Sequence, residues 1–190
     1  MTSDPRQEVV AYPGGIRARF RWAGSGRGSA VFALSEVGGV LHDYGERVAA
    51  DPERLCRAEL RVESPGGTWA ARLASQIFDA PTGLAWDAAG LLVVAYGFAT
   101  YGLEARTGHL RWLHRSGSPL VAVLGSPRLG HVITQAEVET FALEPDGVVR
   151  WRVAHSDVVA GAELVGGRLI LSSYAGQVRS LDAATGQTLG

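Results

Sequence analysis

The glycines Gly108, Gly147 and Gly186 stand 39 residues apart each time (147−108 and 186−147), each preceded by a similar stretch of chain. The three stretches run Tyr101–Trp112, Phe141–Trp151 and Ser180–Leu189, and a more degenerate copy spans Leu60–Trp69 around Gly66 and Gly67. A period of this size marks an array of small units, each unable to bury its apolar face alone. Asp or Thr before Gly suits a tight turn, because short polar side chains cap it and Gly tolerates positive φ.

A second set of glycines accompanies the first. Gly39, Gly90, Gly130 and Gly167 each open an apolar run. Every unit then holds four short runs rich in Val, Leu, Ile, Trp and Tyr, bounded by Gly, Pro, Asp and Ser, which is strand and hairpin punctuation. Four short strands per repeat make a propeller blade. The expected fold is all-β: one small β-propeller of about four four-stranded blades. The units are 30–72, 83–113, 121–153 and 161–190, after a flexible N-terminus at 1–14. The last unit stops at Gly190, where a fourth strand would begin. Residues 15–22 end in Arg21-Trp22, like Arg111-Trp112 and Arg150-Trp151. They are expected to pair into the last blade and close the ring, which would remove exposed sheet edges. A larger ring built from two chains, a homodimer, is the alternative.

The motif Leu181–Gly186 (Leu-Asp-Ala-Ala-Thr-Gly), with Leu103–Gly108 followed by Trp112 and Leu143–Gly147 followed by Trp151, resembles the PQQ-like repeat of β-propellers. The likeness covers about residues 78–190, and 15–77 by analogy only. It implies architecture foremost, since the family holds quinone-dependent dehydrogenases, outer-membrane assembly lipoproteins and binding modules. The tryptophans Trp69, Trp112 and Trp151 read as packing residues that cover a neighbouring sheet.

The chain has 190 residues, 46% of them hydrophobic, and a formal net charge of −1. That balance gives no electrostatic case for nucleic acid or an acidic membrane as partner. All 18 basic residues are Arg, so lysine chemistry such as a Schiff base is excluded. The N-terminus is polar, no run reaches membrane-spanning length, and Cys56 is the single cysteine. A cytoplasmic location is expected, which weighs against a quinoprotein role. No catalytic residue, cofactor or metal site is assigned. The five histidines lack metal-ligand spacing, Gly24–Gly28 lacks the Lys-Ser/Thr of a phosphate loop, and no nucleophile elbow occurs.

One segment breaks the repeat. Residues 44–57 are inserted where other units have a short turn, and Asp51-Pro52-Glu53 reads as the start of a short helix. Insertions in repeat proteins gather on one face, often the binding face. The same rim would carry the links between blades. Asp43, Tyr44, Arg47, Asp79, Tyr96, Arg115, His155, Asp157 and Tyr174 are therefore the candidates to converge at the channel mouth. Aromatic and Arg side chains are favoured interface anchors. The reading is a non-catalytic binding or scaffolding module whose partner is another protein. An enzyme (a lyase or hydrolase using His155, Asp157 or Asp79) and a binder of small ligands or sugars stand as alternatives.

Overall fold

A computed structural model describes residues 6–24, 39–50 and 54–190. Apart from short 3-10 turns, the regular structure of the described residues is seventeen β-strands in four sheets, a small all-β propeller. The first sheet holds β1 (Arg6–Tyr12), β2 (Ile16–Ala23), β4 (Cys56–Ser64), β5 (Gly67–Ser75) and, outermost, β3 (Val40–Asp43). The second is β6 (Thr82–Trp86), β7 (Leu91–Tyr96), β8 (Ala99–Glu104) and β9 (Leu110–Arg115). The third is β10 (Leu120–Leu124), β11 (Val132–Ala136), β12 (Glu139–Leu143) and β13 (Val149–Ala154). The fourth is β14 (Val159–Val165), β15 (Arg168–Ser173), β16 (Val178–Asp182) and β17 (Thr188–Leu189). The last three are antiparallel meanders in sequence order.

Side chains alternate between faces along a strand, so each sheet offers two surfaces. In the first sheet Phe20, Leu60 and Ala71 form one cross-strand row, and Ala18, Val62 and Trp69 the next. These rows are buried against Leu92, Val94, Tyr101 and Leu103 of the second sheet. A second apolar cluster joins Leu91, Val93 and Trp112 to Val132, Phe141 and Leu143. A third joins Ile133 and Trp151 to Leu169, Leu171 and Leu181. The core is thus three seams, one between each pair of consecutive sheets.

The tryptophans lock the seams. Trp69 Nε1 donates to the Ala105 carbonyl and Trp112 Nε1 to the Pro145 carbonyl, both at 3.0 Å. Each indole also lies on the turn glycine of the next sheet: Trp69 on Gly108, Trp112 on Gly147 and Trp151 on Gly186. All three glycines have positive φ. The repeat period read from the sequence is therefore the spacing of a blade-to-blade contact.

The N-terminal quarter differs from expectation. Residues 16–23 do not join the last sheet: β2 pairs with β1 on one side and β4 on the other, as the second strand of the first blade. Its partner β1 occupies residues that read as a flexible terminus, and Gly14 and Gly15, both at positive φ, turn the hairpin. Among the described residues no apolar cluster joins the fourth sheet to the first. The physical reason lies in the partner of β2: Ala18, Phe20 and Trp22 stand in register with Val62, Leu60 and Ala58 of β4 and are buried with them, while the other face pairs Arg17, Arg19 and Arg21 with Glu63, Arg61 and Glu59.

The described part of the chain between β2 and β4 also differs from expectation. Within it, β3 passes outside β5 and pairs with it in parallel. A 3-10 turn follows at Gly45–Arg47. The expected run at 30–34 and helix start at 51–53 lie outside the described residues.

Candidate functional site

Turns between second and third strands, and links between blades, share one rim, called upper here. Backbone hydrogen bonds stitch them together. Ser116 N donates to Phe98 O (2.9 Å), His155 N to Val138 O (2.8 Å), Val159 N to Glu137 O (2.7 Å) and Tyr174 N to Val158 O (3.0 Å). Side chains on this rim are consequently held on a fixed backbone lattice, which lowers the ordering cost of binding.

Two clefts open on this rim. One lies between the third and fourth sheets, has a volume of about 60 Å³, and is lined by His155, Ser156, Asp157, Ser173, Gln177 and Arg179. Its ring geometry is determined by a chain of hydrogen bonds. Gln135 Nε2 donates to the carbonyls of Ala136 and Glu139, which leaves Gln135 Oε1 to accept from Thr140 Oγ1 at 2.6 Å. With its proton so used, Thr140 Oγ1 accepts from His155 Nε2, also at 2.6 Å. His155 Nδ1 is then the acceptor, and it faces Arg179 Nη1 at 3.5 Å. Burial, and secondarily the Arg179 charge, push the His155 pKa below the ordinary value. The ring is neutral at pH 7 and works as a fixed acceptor. Asp157 Oδ1 accepts the Val158 N–H at 2.8 Å. Tyr174, on the turn hydrogen-bonded to the same link, is 77% exposed.

The other cleft lies between the first and second sheets and measures about 280 Å³. Tyr96, Phe98, Arg115, Ser116, Val48 and Ser75 line it. Arg115 Nη1 donates to the Val48 carbonyl at 3.3 Å. Tyr96 is buried, and burial pushes its hydroxyl pKa well up, so it stays protonated. Asp79 lies in the adjoining link, where Oδ1 accepts the Ala80 N–H at 2.8 Å; burial raises its carboxyl pKa.

The nine candidates do not converge on one mouth. His155, Asp157 and Tyr174 gather at one end of the rim, and Tyr96 and Arg115 share the cleft at the other. Asp43, Tyr44 and Arg47 sit elsewhere, because β3 runs along the outermost edge of the first sheet and not beside the channel. There Tyr44 serves as a joint. Its hydroxyl donates to the Gly108 carbonyl at 2.7 Å and accepts the Leu110 N–H at 2.9 Å. His42 stacks on it and bonds Thr107 O at 2.9 Å. Asp43 Oδ1 caps the Gly45 N–H at 3.0 Å.

Two contributors were missed from sequence. Arg179 stands three residues before Asp182, where the other two repeats carry Tyr101 and Phe141 before Glu104 and Glu144. That swap of an aromatic for a cation was the available signal. Glu139 had none: it takes the Gly117 N–H at 2.8 Å and pairs with Arg152, bracing the link beside the rim. Among the described residues no group of three or more His, Cys, Asp or Glu is placed to hold a metal ion.

No protein-family model and no curated protein matches this sequence. Solved β-propeller structures do match. BamB from Moraxella catarrhalis is 16% identical with a TM-score of 0.56, covering 100% of this chain and 66% of its own. The computationally designed Ika8 protein is 11% identical with a TM-score of 0.53, covering 96% and 59%. HIRA(644-1017) is 14% identical with a TM-score of 0.52, covering 100% and 53%. The chain thus spans about half to two thirds of these structures. At such identities the likeness shows the fold alone.

Proposed function

We propose that this chain is a non-catalytic protein-binding module of the PQQ-like repeat kind, and that it recognises its partner at the fourth-blade end of the upper rim. The observation that carries the reading is Tyr174, 77% exposed on a turn hydrogen-bonded to the inter-blade link, beside the cleft of His155, Asp157 and Arg179. A large exposed aromatic on rigid backbone next to a cationic, acceptor-bearing cleft has the make-up of an interface anchor and its polar surround. The state of His155 favours binding over catalysis, since Thr140 holds one ring nitrogen and Arg179 faces the other.

The test is affinity capture from the source cells, comparing the native chain with Tyr174→Ala and Arg179→Gln. Both variants are expected to keep the native melting temperature within about 2 °C, because surface changes seldom exceed about 0.5 kcal/mol. Both are expected to lose the same partner. A partner retained by both variants would move the interface off this part of the rim.

A further inference from the structure

The opposite, lower rim carries the turns between first and second strands, and three of them meet at one cavity. Its volume is about 380 Å³, within the usual range of small-molecule sites. Pro13 comes from the β1–β2 turn of the first sheet, Leu84 and Trp86 from β6 of the second, and Pro127 from the β10–β11 turn of the third. The lining is mainly apolar, and its polar side chains among the described residues are Asp87, Ser126 and His131, of which Asp87 is the one carboxylate and none is a guanidinium. It is exposed, and no described side chain forms an ion pair with it. His131 Nε2 bonds the Ala183 carbonyl at 2.8 Å. A carbonyl only accepts, so Nε2 carries the proton of this bond.

We propose that this cavity binds a small organic cation: an amine with an aromatic or branched apolar body. The body would lie against Trp86, Leu84 and the two prolines, where apolar burial supplies affinity. The ammonium would meet the Asp87 carboxylate, and an indole face nearby favours a cation over a neutral head. An anion fits poorly, since the cavity offers it a carboxylate. This site is separate from the upper-rim surface, and each stands or falls without the other.

The experiment is calorimetric titration of the full chain with phenethylamine and with 2-phenylethanol, which has the same body and a neutral head. The amine is expected to bind at least about fivefold more tightly than the alcohol, a margin suited to a partly exposed ion pair. Asp87→Asn is expected to bring the amine down to the level of the alcohol. Ala88→Phe, at an exposed lining position, is expected to block both ligands. Circular dichroism of each variant checks folding. No heat with the amine, equal binding of amine and alcohol, or amine binding untouched by both variants would each overturn the proposal.

Discussion

The Trp112 indole donates its N–H to the Pro145 carbonyl at 3.0 Å while its ring lies on Gly147, so one side chain fixes the next blade through a polar and a steric contact. Within its own sheet the same ring covers Gly102, its cross-strand partner. The glycines on either side leave room for an indole that would otherwise not fit between two sheets.

Replacing the turn glycine is therefore expected to cost more than backbone strain. A Cβ at Gly147 would lie 2.6 Å from Trp112, and φ there is +85°. Gly166 has φ +58° with nothing within 4 Å. Gly166→Ala should lose about 1–2 kcal/mol, the cost of a left-handed side-chain-bearing residue. Gly147→Ala should lose about 1–3 kcal/mol more through overpacking. Urea unfolding of both variants measures the difference, and equal losses would show that the indole yields freely.

The three tryptophans are not equivalent. Trp69 and Trp112 both make the indole hydrogen bond, whereas the buried Trp151 Nε1 has no partner. Trp112→Phe forfeits the bond to the Pro145 carbonyl; Trp151→Phe removes an unsatisfied donor. The first change is expected to destabilise by about 1 kcal/mol more than the second. Denaturant midpoints for the pair decide it.

Tyr44 and Tyr174, both read from the sequence as binding residues, should separate by stability. Tyr44→Phe leaves the Gly108 carbonyl and the Leu110 N–H without the hydroxyl that bridges them. About 2 kcal/mol is expected to be lost. Tyr174→Phe should lose under about 0.5 kcal/mol, as exposed positions do. A melting temperature unchanged in Tyr44→Phe would remove the joint between β3 and the second sheet.

The parts legible in sequence are those set by local chemistry. Gly108, Gly147 and Gly186 announced turns because left-handed backbone needs glycine, and the apolar runs before and between them are β6 to β16. The first blade was misread because pairing is a non-local property. The alternation Ile16, Ala18, Phe20, Trp22 suits a second strand as well as a fourth, and Arg21-Trp22 copied the Arg-Trp pair of β9 and β13. Only the partner decides, and β4 supplies an apolar row in register with it. The rim site divides in the same way. His155 and Asp157 were visible as polar residues in a link. The proton chain through Gln135 and Thr140 spans β11 and β12 and becomes a chain only when those strands pair.

Stability should form a plateau bounded on both sides by buried groups. Burial, and then Glu8, push Tyr12 from 10.0 up to about 12, and burial also raises Tyr96 and Tyr101. A folded pKa above the unfolded one means that the unfolded chain loses its protons first. This contribution is whole below pH 10 and declines as the pH rises through 10 toward 12. On the acid side, burial lowers His114 and His155 from 6.5. The unfolded chain then binds protons first, so stability falls as the pH drops through 6.5. Urea midpoints from pH 5 to 11.5 should be flat between about 7 and 10 and fall on either side. Tyr12→Phe should shrink the alkaline fall and His155→Gln the acid one, each leaving the other limb intact. A limb that keeps its full slope in its own variant would assign the titration to other groups.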